Sequence, residues 1–356
     1  MLASAGPLVG YAEVQAVRHR LAAVAAGDAL LLQAGDCAES LHECTPSHTL
    51  RKLTVLDRLA GRMAARAGID VVRVGRIGGQ FAKPRSSPTE RHGDCLIPSF
   101  RGHLVNSEVP TAAARQHDPR RMLWAYEASR KVLGWTAAYR QSADCGPWAS
   151  HEALIMDYEA KLVRTDATGG PYLSSAHLPW VGVRTNDPAG PQVRVLASVG
   201  NPVACKIGPG SDPAHVRGIC AALDPGREPG RLVLIARLGR DLVSEALPRL
   251  VAAVRDAGHP AIWLSDPMHG NTVRTASGLK TRRVDDIRHE AEAFRRILER
   301  LGVHPAGLHL EVAASAVTEC LGGPVASEEE IPRAYTTLCD PRLNPEQAEL
   351  VLDSWR

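Results

Sequence analysis

The chain has 356 residues, of which 44% are hydrophobic and 23% are charged, and its formal net charge is +3. This hydrophobic content supports a sizeable core and excludes a disordered chain. The excess of positive charge is too small to indicate binding to nucleic acid or to a membrane surface.

Targeting signals are absent from the sequence pattern. No stretch approaches the roughly 18 consecutive apolar residues that span a bilayer. The first residues, MLASAGPLVG, lack the basic region and the apolar run of a secretory signal. The eight cysteines include no C-x-x-C pair. We therefore expect a cytoplasmic protein with reduced thiols and with no membrane or nucleic-acid partner.

Short apolar runs, each followed by polar or charged residues, recur along the chain. Such near-continuous runs are typical of strands that are buried on both faces of a parallel sheet. The predicted strands cover 29–34, 69–74, 178–183, 203–207, 232–237, 261–266 and 308–312.

Between these runs, apolar residues recur at helical spacing, which predicts amphipathic helices packed on the core. Ser47 and Ser150 are the expected N-caps of the first two helices, and Pro248 is expected to kink the third. The predicted helices cover 47–68, 150–164, 240–258 and 285–302.

The alternation of strands and helices predicts an α/β protein with a parallel sheet and right-handed crossovers. Seven strand candidates over this length favour a closed (β/α)8 TIM barrel with its active site at the C-terminal mouth. A doubly wound sheet is the alternative, and no G-x-G-x-x-G motif supports it. We expect a short N-terminal helical segment over 1–28 and a single catalytic domain over 29–356.

Six cations lie at or just beyond the ends of the predicted strands. A single arginine or lysine there is equally well explained as a solvated cap, but six at the same mouth indicate binding of phosphates or carboxylates. They would suit about three anionic groups, such as a phosphate and a carboxylate on one substrate and a phosphate on another. The six are Arg76, Lys83, Arg85, Arg184, Lys206 and Arg237.

Four further residues near strand ends offer sulfur, nitrogen and oxygen ligands: Cys37, His269, Glu311 and Asp340. This mixed set suits a divalent transition ion. A lone cysteine at a strand end is more often a small buried hydrophobe, and a loop histidine is often only hydrogen-bonded. The spacing alone does not decide between a metal site and these structural roles of the cysteine and the histidine.

At these residues the sequence resembles the class II (plant-type) 3-deoxy-D-arabino-heptulosonate 7-phosphate (DAHP) synthases. The matching stretches fall in order from residue 31 to residue 344 and cover nearly the whole chain. They are LLQAGDCAES, RVGRIGGQFAKPRSSPTE, SHEALIMDYE, WVGVRTND, GNPVACKIGP, LIARLG, SDPMHGNT, LHLEVAASAVTECLGG and YTTLCDPRLN.

The resemblance implies a barrel enzyme that condenses phosphoenolpyruvate with erythrose 4-phosphate in the first step of the shikimate pathway. It implies a homo-oligomer, possible association with chorismate mutase, and Mn²⁺ or Co²⁺ held by the four ligands named above. Lys83 is a candidate proton donor, and Glu152 a candidate for handling water. The implied phosphoenolpyruvate site is Arg76, Val183, Arg184, Lys206 and Arg237, and the implied erythrose 4-phosphate site is Lys83, Arg85 and Ser86.

The sequence departs from the family pattern in three places. Val183 stands where an acidic residue usually precedes the arginine of WVG-x-RT, and AASA at 313–316 replaces polar and acidic residues. There is also little room for the N-terminal extension and inserted helices that bind inhibitory aromatic amino acids in long members. We expect weak feedback inhibition and a role in a specialised pathway. The alternatives are a synthase for an amino analogue of the acceptor and a non-catalytic partner subunit.

Overall fold

In the computed structural model, which describes residues 1–140 and 146–355, eight parallel strands form a nearly closed barrel. Seven neighbouring pairs of strands form parallel ladders, one of them between the last strand and the first, and the third and fourth strands meet through an isolated bridge between Glu152 and Trp180. This arrangement confirms the predicted (β/α)8 fold. The strands are β1 (Ala29–Gly35), β2 (Asp70–Arg76), β3 (Trp148–Ser150), β4 (Trp180–Val181), β5 (Val203–Ile207), β6 (Leu232–Ala236), β7 (Ile262–Ser265) and β8 (Pro305–Glu311).

Helices surround this barrel, and three short antiparallel hairpins project from the loops in the described part of the chain. The hairpins pair Thr89–His92 with Cys95–Pro98, Val163–Asp166 with Gly170–Leu173, and Thr272–Arg274 with Lys280–Arg282. The helices are α1 (Tyr11–Ala26), α2 (Pro46–Ala67), α3 (Arg121–Tyr139), α4 (Met156–Glu159), α5 (Pro191–Ala197), α6 (Pro213–Leu223), α7 (Val243–Asp256), α8 (Val284–Arg300) and α9 (Pro345–Asp353).

The helix predicted over 150–164 is wrong. Its first residue, Ser150, ends strand β3, and the only α-helical turn in this range is α4. The backbone before α4 is used to close the barrel, because Trp180 donates to the carbonyl of His151 at 3.0 Å and Ala153 donates to the carbonyl of Trp180 at 2.8 Å. Tertiary strand pairing thus overrides the helical spacing of the apolar residues.

The other predictions need smaller corrections. Helix α2 begins at Pro46, and its N-cap is Thr45 rather than Ser47, because the Thr45 hydroxyl accepts from the backbone N–H of His48 at 3.3 Å. Helix α7 continues through Pro248. The strand predicted over 178–183 is reduced to the two residues of β4.

The two ends of the barrel differ. Val17, Leu21 and Val24 of α1 pack against interior residues from the beginnings of the strands, such as Leu31 and Trp148, and cover the N-terminal end. The polar side chains that follow the strands meet at the opposite end. Among the described residues, no helix has the length and apolar character needed to cross a membrane.

Glu290 of α8 connects the loops that follow β6 and β7. One of its carboxylate oxygens accepts the backbone N–H groups of Leu238 and Gly239 at 2.9 and 2.8 Å, and the other accepts from the Asn271 side chain at 2.7 Å. Burial, together with the charge of Asp266, raises the pKa of Glu290 from 4.5 to about 7, even though these hydrogen bonds oppose the shift.

We expect the stability of the protein to depend on pH through Glu290. The folded state binds this proton more tightly than the unfolded state, so the stabilisation is complete below pH 4.5 and is lost as the pH rises through 7. Between pH 5 and 8, the free energy of unfolding should fall by about 2 kcal/mol relative to Glu290→Gln. Urea denaturation at each pH measures this difference. The control is Glu299→Gln, which changes an exposed residue of the same helix. If the free energy of unfolding of Glu290→Gln varies with pH in the same way as that of the wild type, the expectation is contradicted.

Candidate functional site

A cleft with a volume of about 210 Å³ opens at the C-terminal ends of the strands. It brings together most of the residues that the sequence singled out, although they are spread over more than 250 positions. Those lining the cleft are Arg76, Lys83, Arg85, Ser86, Glu152, Val183, Arg184, Lys206, Arg237, His269 and Asp340. Cys37 and Glu311 are fully buried and contact the lining residues from beneath.

Glu311 is the centre of the charge network under the cleft. One carboxylate oxygen lies 3.0 Å from Arg76 Nη2, 3.1 Å from His269 Nε2 and 3.5 Å from Lys83 Nζ. The other oxygen accepts from Arg282 Nη1 at 2.8 Å. Burial alone would raise the pKa of Glu311, but these positive neighbours hold it well below its usual range. Glu311 is therefore a carboxylate at neutral pH.

Arg76 presents one free N–H to the cleft. Its Nε donates to the carbonyl of Asp36 at 2.9 Å, and its Nη2 donates to the carbonyl of Cys37 at 3.3 Å and to Glu311 at 3.0 Å. Its Nη1 donates to His309 Nε2. A guanidinium has five N–H groups, so one on Nη1 has no partner in the described part of the chain.

The contact with Arg76 also orients a polar chain inside the barrel. Because Arg76 donates to Nε2 of His309, the proton of this imidazole is on Nδ1, which donates to Gln33 Oε1 at 2.7 Å. Gln33 then donates to Ser150 Oγ at 2.8 Å. Burial and the charges of Lys206 and Arg76 lower the pKa of His309 well below 6.5, consistent with a neutral ring. The direction of each hydrogen bond in this chain of residues follows from the N–H that Arg76 donates to His309.

Lys206, Arg237 and Arg184 extend this positive surface. Lys206 Nζ lies 2.7 Å from Asp266, but burial and the charge of Arg76 lower its pKa from 10.5 to about 8. Arg237 donates from Nη2 to the carbonyl of His269 at 2.6 Å, while its buried Nε has no partner among the described residues. Arg184 is exposed, and no hydrogen bond from it to another described residue is found. These unused donors are suited to anions.

Arg85 and Ser86 lie nearer the rim of the cleft. Arg85 already uses some of its N–H donors, because it donates to Glu90 at 2.9 Å, to the carbonyl of Phe100 at 3.1 Å and to Cys339 Sγ at 3.4 Å. Ser86 is exposed. This part of the cleft therefore offers one guanidinium and one hydroxyl close to solvent.

The four predicted metal ligands meet as two pairs. Cys37 Sγ lies 3.8 Å from Asp340 Oδ2, and His269 Nε2 lies 3.1 Å from Glu311 Oε1. No three of the four offer donor atoms within 4.8 Å of one another, as judged over the described residues. The donor types nevertheless fit a divalent transition ion, because a thiol, an imidazole and two carboxylates face one cleft. Burial and the charge of Glu311 raise the pKa of Cys37, so ion binding would release its proton.

A second group with metal-ligand chemistry lies behind Cys37. Ligand atoms of Asp36, Glu43 and His48 lie within 4.8 Å of one another, and this is the one such group in the described part of the chain. Asp36 is already paired with Lys52 at 2.6 Å and with Arg342 at 2.7 Å. These two cations neutralise the most buried carboxylate of the group.

Seven lining residues are not among the site residues that the sequence reasoning named: Pro84, Trp180, Gly182, Thr272, Lys280, Arg282 and Cys339. Lys280 pairs with Asp340 at 2.8 Å, and Arg282 pairs with Glu311. Both are on the hairpin that follows β7, whereas the reasoning considered only the residues that directly follow each strand. The cluster of cations in KTRR was the available signal. Trp180 belongs to an apolar run, so its sequence indicated only a core residue.

Glu152 has an unused oxygen at the edge of the cleft. Its Oε1 is buried and has no hydrogen-bond partner among the described residues. It lies against Gly182, where a Cβ atom would approach Oε1 to 2.3 Å, so glycine is needed beside it. Its backbone N–H donates to Gln80 Oε1 at 3.1 Å. The carboxylate thus packs against Gly182 and has a buried oxygen available to accept a hydrogen bond.

Comparison with known proteins identifies the family of this chain. A model of the class-II DAHP synthetase family matches residues 1–146 and 137–352. A probable phospho-2-dehydro-3-deoxyheptonate aldolase from Pseudomonas fluorescens is 45% identical over 360 positions, which cover 100% of this chain and 90% of that protein. A phospho-2-dehydro-3-deoxyheptonate aldolase from Streptomyces coelicolor is 37% identical over 398 positions, which cover 98% and 88%.

Among solved structures, a phospho-2-dehydro-3-deoxyheptonate aldolase from Francisella tularensis superimposes with a TM-score of 0.56 over 97% of this chain and 92% of that one. Its sequence identity of 13% means that the likeness supports the fold alone. The family match and the extensive sequence identity with the curated relatives carry the assignment. The chain belongs to the class-II DAHP synthetase family.

Proposed function

We propose that the protein condenses phosphoenolpyruvate with erythrose 4-phosphate to give DAHP and phosphate. The observation that carries this proposal is the set of unused donors on Arg76, Arg184 and Arg237 around one deep cleft. Phosphoenolpyruvate has a phosphate and a carboxylate, and erythrose 4-phosphate has a second phosphate. The cations supply the charge that these three groups need.

The depth of Arg76, Lys206 and Arg85 supports an assignment of the cations to the two substrates. Arg76 and Lys206 are buried at the bottom of the cleft, and with Arg184, Arg237 and the segment at Val183 they would bind phosphoenolpyruvate. Arg85 and Ser86 are nearer the rim and would bind the aldose phosphate, with Lys83 close to both substrates. Holding both substrates in one geometry supplies much of the rate acceleration.

The condensation needs a group that activates the aldehyde. Cys37, His269, Glu311 and Asp340 would hold a divalent ion such as Mn²⁺ or Co²⁺, which when bound supplies Lewis acidity toward the aldehyde oxygen. The chain's own cations hold the acid groups of phosphoenolpyruvate while its C3 forms a bond to the aldehyde carbon. Water adds at C2, and phosphate leaves by cleavage of the C–O bond.

Two side chains are assigned to proton transfer. Burial would lower the pKa of Lys83, but the negative charges of Glu311 and Asp340 outweigh it and raise the pKa, so this amine is protonated at neutral pH and able to donate to the new hydroxyl. Glu152 has a buried, unused carboxylate oxygen that would orient the water that adds at C2.

The metal assignment predicts that EDTA abolishes turnover of phosphoenolpyruvate and erythrose 4-phosphate, and that Mn²⁺ or Co²⁺ restores it. Cys37→Ala should lower the activity at least about 100-fold and lower the bound metal, because one of four ligands is lost. Metal content and phosphate release are measured together. The exposed Cys95→Ala is the matched control, and wild-type turnover by metal-loaded Cys37→Ala would rule out the assignment. An amino analogue of the acceptor, run in parallel, tests the alternative substrate.

The role of Glu152 predicts a specific kinetic change. Glu152→Gln keeps the shape of the side chain but weakens its oxygen as an acceptor, so kcat should fall about 10-fold or more while KM for phosphoenolpyruvate changes little. Asp157→Asn, an exposed change on the following helix, should leave both constants unaltered. An unchanged kcat in Glu152→Gln would argue against the role.

We also propose that aromatic amino acids inhibit the enzyme weakly or not at all, as expected for a specialised pathway. Alignments with the relatives from Streptomyces coelicolor and Mycolicibacterium smegmatis span 398 and 404 positions, more than the 356 residues of this chain. Those relatives therefore contain inserted residues that have no counterpart here. Turnover should be little changed by phenylalanine, tyrosine or tryptophan, and strong inhibition at low concentration of any of the three would refute the proposal.

A further inference from the structure

The ring of Trp180 is in contact range of two cations of the cleft. Arg76 Cζ lies 5.1 Å from the ring centroid, and Lys206 Nζ lies 5.9 Å from it. Both distances are within the range in which a cation is attracted to an aromatic face. The indole is 1% exposed, and the ring of His309 packs edge-on against it at 5.5 Å. In the described part of the chain, no other aromatic ring has two cations within this range.

Two buried positive charges at one site repel each other. Arg76 is 1% exposed and Lys206 is 6% exposed, so water screens this repulsion poorly. Arg76 is anchored by Glu311 and Lys206 by Asp266, and no carboxylate among the described residues is hydrogen-bonded to both. Trp180 is the side chain that contacts the two cations together. The negative face of an indole attracts cations more strongly than any other aromatic side chain.

We propose that Trp180 is a positioning residue that holds Arg76 and Lys206 as one anion-binding pair for an acid group of the substrate. This inference rests on the proposed function for the identity of the substrate, phosphoenolpyruvate, and extends it to a residue that the strand-end pattern does not reveal. The attraction that holds the two cations comes from the π face of the indole ring. The buried indole N–H, which has no partner among the described residues, is not required for it.

The first test separates the ring from its N–H. Trp180→Phe keeps an aromatic face and should raise the Kd of phosphoenolpyruvate by less than about fivefold, whereas Trp180→Leu removes the face and should raise it at least about tenfold. KM for erythrose 4-phosphate should change less than about threefold in both. Trp124, which is half-exposed beside Arg121 at 5.3 Å, provides the matched control Trp124→Leu. Calorimetric titration of the metal-loaded enzyme measures the Kd.

A second measurement does not depend on the folding of Trp180→Leu. Tryptophan analogues with increasing fluorine substitution, placed at position 180 alone, keep the shape of the ring but weaken its attraction for cations. The Kd of phosphoenolpyruvate should rise stepwise with the number of fluorines. A Kd that is constant along this series, or that rises equally in Trp180→Phe and Trp180→Leu, would overturn the inference.

Inorganic phosphate, titrated into the same variants, distinguishes the two proposals. If wild type binds phosphate and the affinity falls along the fluorine series, the role of Trp180 stands even when phosphoenolpyruvate is not a substrate. If phosphoenolpyruvate is turned over but neither anion responds to the series, the proposed function stands and the role of Trp180 is wrong.

Discussion

The site depends on one buried carboxylate. Glu311 is fully enclosed at the end of β8 and contacts Arg76, His269, Lys83 and Arg282, which come from four different segments of the chain. Burying Arg76, Lys83 or Arg282 without a counter-charge would be costly, and burying the three together would be worse. Because Glu311 contacts one nitrogen atom of each, the remaining donors are fixed in direction. The positively charged lining of the cleft is thus a consequence of the buried Glu311 carboxylate beneath it.

Other buried carboxylates hold the loops in the same manner, from outside the cleft. Glu39 accepts three consecutive backbone N–H groups, those of Gly78, Gly79 and Gln80, at 2.9–3.0 Å. Glu319 accepts from the backbone N–H of Arg342 at 2.7 Å and so fixes the segment that contains the last predicted metal ligand. Together with Glu290, these groups give irregular loops the hydrogen bonds that strands and helices supply internally. The positions of the reactive groups therefore rest on side chains that never touch the cleft.

Sequence reasoning succeeded for properties that depend only on residues close together in the sequence. Strands buried on both faces leave continuous apolar runs, and the polar residues that follow them meet in a barrel. It failed where partners distant in sequence decide the outcome. A helix was predicted over 150–164 because Ser150 resembles a cap, although Ser150 pairs with β2 and the backbone of His151 and Ala153 is hydrogen-bonded to Trp180 of β4. Lys280 and Arg282 are on a hairpin rather than at a strand end, and the pairing of the metal ligands has no local signature.

The covering of one end of the barrel by α1 has a kinetic consequence. Val17, Leu21 and Val24 fill the N-terminal end, and among the described residues the cleft opens at the C-terminal mouth. Under the proposed function, a molecule bound on the buried Arg76 and Lys206 would lie below one that is bound near the rim. The deeper molecule would then have to arrive first, because the occupant of the rim would lie across its path. The shape of the barrel alone would thus impose an order on binding.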